Sequence, residues 1–223
     1  MIQRSGTRDA QIVIIAKAPV PGRVKTRLSP PCSPEQASQL AAAALADTLA
    51  AVRTTPARRR VVAFDGDPQL ADLRGFDVIP QRGGHLGERL AHAFADAAAG
   101  PGAGLSTVLV GMDTPQVTPE LLTQALDALS SADAALGLAA DGGWWVLALG
   151  DPAYAAVLAD VPMSADDTGV RTQQALTGQG IRLALLPELS DVDTFEDAQQ
   201  VADQVPHSLF ARVFAAVTPG VPL

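Results

Sequence analysis

Short apolar runs alternate along the chain with longer stretches in which apolar positions recur at helical spacing. IVIIA at 12–16, VVAF at 61–64, FDVI at 76–79, TVLVG at 107–111, AALGLA at 134–139, WWVLAL at 144–149 and IRLALL at 181–186 predict strands. Between them, Ser33-Pro34-Glu35-Gln36 supplies an N-cap, a proline at the first helical position and a glutamine at the third, which predicts a helix to about Val52. Thr118-Pro119-Glu120 opens another to about Leu129, and Thr194 with Asp197 opens a third in DTFEDAQQVAD. Ser164, Asp166 and Asp167 precede a further helix, where capping accounts for them. Strands separated by helices predict an α/β fold, a three-layer αβα sandwich whose central sheet is mainly parallel.

GPGAG at 100–104 has the composition of a linker, but the strand after it is needed to continue the same sheet, so it reads as a loop. The run Arg58-Arg59-Arg60 ahead of the second strand reads as a solvated edge, and the tail ARVFAAVTPGVPL as a segment that docks or frays. No internal repeat of 20 to 50 residues is visible. The 223 residues, 48% of them apolar, are enough for one core, and a single domain over 1–223 is expected.

Charge narrows the function classes. Lys plus Arg number 16 against 24 Asp plus Glu, a net charge of -8, so the broad basic footprint of a nucleic-acid or anionic-membrane binder is missing. The apolar run near the N-terminus is too short for a signal-peptide core and follows Arg8 and Asp9 directly, and no run of about 18 apolar residues occurs, so no membrane insertion is expected. Cys32 is the only cysteine, and no Cys/His spacing resembles a zinc site, which fits a reducing, cytoplasmic compartment.

Against that acidic background, KAPVPGRVKTRL at 17–28 carries four cations directly after the first strand, in the βα loop where doubly wound folds place phosphates. Pro19 and Pro21 fix two φ angles, and Gly22 allows a turn other residues resist, so the loop is stiff. Both lysines of the chain, Lys17 and Lys25, fall here, whereas the other 14 cations are Arg. A compact ammonium acts toward phosphate as a point charge. Lys17, Arg23, Lys25 and Arg27, framed by Pro19 and Gly22, are therefore candidate nucleotide-phosphate contacts. A Walker A loop is excluded because Val24 stands where glycine must precede the lysine.

Other polar residues fall at strand ends. Asp113 follows the strand at 107–111, where it can take a divalent cation or close an Asx turn toward Pro115. Asp141, Gly142 and Gly143 link two strands as a hairpin turn, or let a backbone approach a sugar or acceptor; the Trp pair behind them suits core packing or a stacking platform. Asp191 and Asp193 end the last strand, and Asp193 is the expected second metal carboxylate. QRGGHLGERL at 81–90 leads into a helix and suits a nucleobase or ribose, making Gln81, Gly84 and Gly87 candidate nucleotide contacts, with His85 a surface residue.

These stretches, in this order and over nearly the whole chain, resemble a bacterial family of small GT-A-type nucleotide-diphospho-sugar transferases, often labelled glycosyltransferases of arsenosugar biosynthesis or selenodomain-associated transferases. The motifs carrying the resemblance are KAPVPGRVKTRL, QRGGHLGERL, VGMDTPQVTPELL, DGGWWVLAL and DVDTFEDA. The arrangement is also similar to guanylyltransferases of molybdenum- and deazaflavin-cofactor assembly. The resemblance implies a GT-A, Rossmann-like sheet, a nucleotide in the crevice and Mg²⁺ or Mn²⁺. On this chain it implies Lys25 and Arg27 at the phosphates, Asp113 at the metal and Asp193 as a second metal contact. The sequence departs from that family at Trp144-Trp145, where Tyr-Tyr is usual, and at Met163, where Trp is common before the serine.

Three functions follow as expectations. The first is glycosyl transfer from a nucleotide-diphospho-sugar to a small-molecule acceptor, with Lys25 and Asp113 catalytic and Asp141 the candidate base. The second is nucleotidyl transfer from a nucleoside triphosphate with release of pyrophosphate. The third is a nucleotide-binding module without turnover.

Overall fold

The computed structural model describes residues 8–218, and its seven strands form one sheet in the order β3-β2-β1-β4-β6-β5-β7. β1 (Arg8–Lys17) lies between β2 (Ala57–Asp65) and β4 (Ser106–Gly111), parallel to both, and β2 pairs in parallel with β3 (Asp77–Pro80). β6 (Trp144–Leu149) runs antiparallel to β4 and to β5 (Ala134–Ala139), and β5 pairs in parallel with β7 (Leu183–Leu189). From Ala10 to Ala16 β1 is apolar apart from the buried Gln11 because both of its faces are covered there, as expected for a central parallel strand. The mainly parallel α/β sandwich is thus as the alternating pattern predicts.

Helices fill the two outer layers. On one face, α1 (Pro34–Thr54) and α3 (Pro119–Ala128) pack over Ile12, Ile14, Val62, Val108 and Val110. On the other, α2 (Leu86–Ala97), a 3-10 run over Pro152–Asp160 and α4 (Thr168–Thr177) cover Val13, Val61, Ala63, Leu109 and Leu147. Each fully buried side chain of this size contributes about 1.5–3 kcal/mol. Outside α1, α5 (Phe195–Gln204) and α6 (Leu209–Val217) form a third cluster around Leu40, Phe210 and Phe214.

The caps read from sequence are present: Ser33 and Gln36 make a reciprocal capping box, and so do Thr194 and Asp197. Locally, one expectation is met, one feature was not expected and one expectation needs correction. The tail docks as helix α6, where Asp47 of α1 accepts from the amides of Leu209 and Phe210; the last residues of the tail, 219–223, lie outside the described residues. The 3-10 run at 152–160 has no clear period in the sequence and was not expected. The three arginines lie within β2. Arg59 is largely buried, paired with Asp77 at 2.7 Å and donating to Gln11 and the Ala97 carbonyl, and Arg60 donates to the carbonyls of Val52 and Thr55. Paired with carboxylates and helix-end carbonyls, these cations cost little to half-bury.

Candidate active site

Strand order reverses between β1 and β4, since the chain builds outward from β1 through β2 and β3 before returning to β1's other side. In open α/β sheets, ligands bind outside the carboxyl ends of the strands at such a point. A cavity of about 680 Å³ opens there. The two-residue period of a strand turns Lys17, Asp65, Gln81 and Asp113 toward the α2 layer, because Ile15, Ala63, Ile79 and Leu109, an even number of positions before them, pack into that layer.

The first loop enters the cavity through Lys25. Its backbone is left-handed, with φ 48°, and its side chain is only 9% exposed. The ammonium donates to Oδ1 of Asp113 at 2.9 Å and to the Val192 carbonyl, so it fastens the loop to the ends of β4 and β7. Among the described residues Ser164 is the other non-glycine residue with positive φ, and it too lines the cavity. Such backbone strain concentrates at functional sites.

β4 and β7 are joined at the same place. The Val192 amide donates to the Asp113 carbonyl at 2.9 Å, and Thr114 Oγ1 donates to Asp191 Oδ1 at 2.7 Å. Burial, more than any other cause, pushes the Asp191 carboxyl up to about 6; the negative charges of Asp113 and Asp141 add to it, while Thr114 and Lys25 oppose it. Asp191 and Asp193 both line the cavity with Asp113; the Asp191 carboxyl feels the charge of Asp113, whereas Asp193 is paired with Arg27.

The donor set at this point suits a divalent cation. Two hard carboxylates line one cavity, and a cation between them would offset the buried charge of Asp191 and the smaller repulsion from Asp113. Mg²⁺ and Mn²⁺ accept such a set while keeping positions for phosphate and water. Among the described residues no three His, Cys, Asp or Glu side chains form a closed cage, so a cation here would be held jointly with its ligand.

The far wall comes from the β5–β6 hairpin and the loop before α4. The Gly142 amide donates to the Ala139 carbonyl, and Gly169 donates to the Gly142 carbonyl at 2.7 Å. Gly142 has φ +87°, and a Cβ there would stand 1.9 Å from the Asp166 carbonyl oxygen. Its close approach is to the protein's own backbone. Asp141 lines the cavity and accepts from the Gly143 amide at 2.9 Å. The Trp pair divides: Trp145 is buried, donating to the Pro187 carbonyl, and Trp144 lines the cavity with Met163.

Of the residues singled out in the sequence, Lys17, Lys25, Arg27, Gln81, Asp113, Asp141 and Asp193 line this cavity. Arg23 lines a smaller adjoining pocket of about 200 Å³ with Lys17, Lys25 and Arg27. Pro19, Gly22, Gly84 and Gly87 line neither cavity. Gly22 has φ +74° and shapes the turn, while Gly87 lets α2 close on the 3-10 run, since a Cβ there would meet the Leu158 carbonyl oxygen at 2.3 Å. The Gly84 amide is taken by Glu88 Oε2 at 2.7 Å. Sequence reasoning missed Asp65 and Arg89, which face each other across the cavity at 3.5 Å; only the position of Asp65 at a strand end could have signalled them.

Residues 40–165 match the family described as uncharacterized protein conserved in bacteria, DUF2064. The chain belongs to this family. A phosphoenolpyruvate guanylyltransferase of Sanguibacter keddieii is 30% identical to this DUF2064 chain, in an alignment covering 58% of each protein, so the match spans little more than half of that relative. The crystal structure of a Desulfovibrio desulfuricans G20 protein, assigned by inference as a nucleotide-diphospho-sugar transferase, superposes with a TM-score of 0.81 at 27% identity over 93% of both chains. The manganese complex of Rv0371C from Mycobacterium tuberculosis H37Rv shares the fold, with a TM-score of 0.54 at 21% identity over 86% of this chain and 97% of that one. The DUF2064 chain therefore has the GT-A-like, nucleotidyltransferase-like architecture that the motifs imply. No helix among the described residues is long and apolar enough to cross a membrane.

Proposed function

We propose that the protein is a metal-assisted transferase that uses a nucleotide-activated substrate, with glycosyl transfer from a nucleotide-diphospho-sugar to a small acceptor as its reaction. The observation that carries this reading is the Lys25–Asp113 pair at the point where strand order reverses, with Asp191 beside it. A preset cation and two carboxylates at that point suit a diphosphate, whose charge must be offset as it departs. Similarity in fold and sequence to a nucleotide-diphospho-sugar transferase over nearly the full chain supports the same class.

Each part of the cavity has a task in this reaction. Lys17, Lys25 and Arg27 would hold the phosphates, the buried stem of Lys25 keeping its ammonium in place before the ligand arrives. A divalent cation on Asp113 and Asp191 would supply Lewis-acid stabilisation of the diphosphate. An acceptor hydroxyl oxygen bonds to the sugar's anomeric carbon as the carbon–oxygen bond to the diphosphate breaks, and the nucleoside diphosphate leaves with the electron pair. Asp141, which also lines the cavity, would take the hydroxyl proton. Trp144 and Met163 give this wall an apolar face against which a sugar ring can lie.

A second reading is nucleotidyl transfer, favoured by similarity to a guanylyltransferase and by the basic pocket of Lys17, Arg23 and Arg27, which suits a departing pyrophosphate. One experiment separates the two. The purified protein is incubated with Mn²⁺ and a panel of nucleotide sugars or nucleoside triphosphates, with sugars, alcohols and phosphorylated compounds as acceptors. Release of nucleoside diphosphate supports glycosyl transfer, pyrophosphate supports nucleotidyl transfer, and no consumption of any donor, with or without metal, rejects both.

A further inference from the structure

We infer that Ser164 sets specificity for the group carried beyond the phosphates, its hydroxyl hydrogen-bonding a hydroxyl of the donor sugar. The inference rests on the proposed glycosyl transfer and adds a residue to the same cavity.

The sequence offers helix capping as the task of Ser164, and the structure takes that task away. The residue at the N-cap of α4 is Asp167, which makes no side-chain bond to the helix amides and pairs with Arg171 at 2.7 Å. Ser164 stands before it, exposed and lining the cavity, and its hydroxyl bonds to no other group among the described residues. Its backbone nevertheless has φ 61°, in the left-handed region that favours glycine. Strain of this kind persists only where the surroundings fix it, and it points to a task at the site.

The surroundings that fix it are specific. One buried hydroxyl, Thr168 Oγ1, donates to the Pro162 carbonyl and accepts from the Ala165 amide, both at 3.1 Å, and so ties the chain on either side of Met163 and Ser164. The Thr168 amide also donates to the Ala165 carbonyl at 3.1 Å. On the hairpin side, Gly169 donates to the Gly142 carbonyl, and Gly142 lies so close to the Asp166 carbonyl that a Cβ would collide with it. The Met163–Ser164 tip is therefore set before a ligand arrives, which lowers the ordering cost of binding.

The chemistry of this wall selects what can lie on it. Asp141, Trp144, Met163, Ser164 and Asp166 line it, and none is a cation, whereas Lys17, Lys25 and Arg27 line the phosphate end. A phosphorylated group placed here would meet two carboxylates and no counter-charge. A neutral ring bearing hydroxyls fits: Trp144 offers it an apolar face, the carboxylates accept, and the Ser164 hydroxyl can both donate and accept. β6, which Trp144 opens, pairs with β4, the strand that Asp113 follows. The wall thus begins one strand away from the phosphate centre, on the side where a sugar continues from its diphosphate.

Calorimetry with Mn²⁺ and UDP-glucose, GDP-mannose or ADP-glucose, each compared with its nucleoside diphosphate, tests the inference on Ser164→Ala and Ser164→Gly. Both variants are expected to bind the nucleotide sugar preferred by the parent about fivefold or more weakly, and to bind its nucleoside diphosphate within about twofold of the parent. Ser164→Gly is expected to melt higher than Ser164→Ala, because only glycine relieves the left-handed backbone. Loss of the sugar contact in a less strained protein separates a ligand contact from a structural role. Undiminished nucleotide-sugar binding in either variant, an equal loss of the diphosphate, or a Ser164→Gly protein that melts below Ser164→Ala overturns the inference and leaves the proposed transfer standing. If the parent binds the diphosphates but none of the three nucleotide sugars, the glycosyl reading falls with it; if it binds nothing, so does the nucleotide site.

Discussion

The Lys25 ammonium stands 2.9 Å from Oδ1 of Asp113 and also donates to the Val192 carbonyl, so one side chain holds the first loop against the ends of β4 and β7. Lys25 is only 9% exposed whereas Asp113 is 40% exposed. The cation is therefore anchored from within, and the carboxylate keeps access to the cavity.

That asymmetry predicts how substitutions at Lys25 behave. Lys25→Met removes the charge but keeps the stem, so kcat/KM is expected to fall by about 10²–10³ through lost stabilisation of the departing phosphate. Stability should fall by only about 1 kcal/mol, because Asp113 can hydrate when its partner is gone. Lys25→Arg should not restore activity, since a planar guanidinium does not fit the space around a nearly closed ammonium. Steady-state kinetics and thermal melting check both statements; full activity in Lys25→Met would remove Lys25 from the mechanism.

Asp191 supplies a prediction of the opposite sign for stability. Its carboxyl is raised from 3.8 to about 6 in the folded protein, so the folded state binds the proton more tightly than the unfolded state does. Taken alone, this group makes the metal-free protein more stable as pH falls from 7 toward 4. Asp72 and Asp133, which Arg74 and Arg182 hold below their usual values, lose stabilisation only at lower pH still. Asp191→Asn removes the cost of the buried charge and is expected to stabilise the metal-free protein at pH 7 by about 1–2 kcal/mol, at about 1.4 kcal/mol per pKa unit and allowing for partial exposure. The same variant should lose most of any thermal stabilisation by Mn²⁺ and nucleotide. Melting curves from pH 4 to 8 with and without Mn²⁺ carry the test; a destabilised Asp191→Asn at pH 7 contradicts it.

What the sequence disclosed was local, and what it hid was tertiary. The seven strands are found within a few residues of their apolar runs because each is covered on both faces or bounded by turn residues. The first loop was legible through the placement of Lys17 and Lys25, the only lysines in the chain. The different surroundings of Asp191 and Asp193 were not legible. The two lie two residues apart after the same strand, and the partner each takes, Thr114 for Asp191 and Arg27 for Asp193, is brought by the fold. Gly87 shows the same limit: its sequence context suited a ligand approach, yet what approaches is the Leu158 carbonyl, on an element with no clear period. Arg59 looked solvated because Asp77 and the Ala97 carbonyl, which receive it, lie 18 and 38 residues away.

Gly142 tests whether the far wall is rigid. It combines φ +87° with a Cβ position 1.9 Å from the backbone oxygen of Asp166, so alanine there must both strain its own backbone and push the 163–168 loop away. Gly142→Ala is expected to cost about 3 kcal/mol or more and to raise KM for the acceptor. Gly22→Ala shares the positive φ, at +74°, but has open space around its Cβ, so it should cost only about 1 kcal/mol. Comparing the two by chemical denaturation separates strain from collision; equal costs would mean that the Gly142–Asp166 contact yields easily.

Arg27 offers the complementary case, a residue whose effect should fall on the ligand alone. Its side chain is 72% exposed and pairs with Asp193, which is 38% exposed, so the ion pair contributes at most about 1 kcal/mol to folding. In the proposed nucleotide complex the same guanidinium would leave Asp193 for a phosphate, to which it can give two parallel hydrogen bonds. Arg27→Ala should therefore leave the melting temperature of the free protein within about 2 °C. It should weaken nucleoside diphosphate binding about tenfold or more, and the loss should shrink as salt rises, because a charge contact at the cavity mouth is screened. Calorimetry at two ionic strengths decides the matter. An Arg27→Ala protein that melts early but binds as tightly as the parent would make the Arg27–Asp193 pair a structural tie between the first loop and α5.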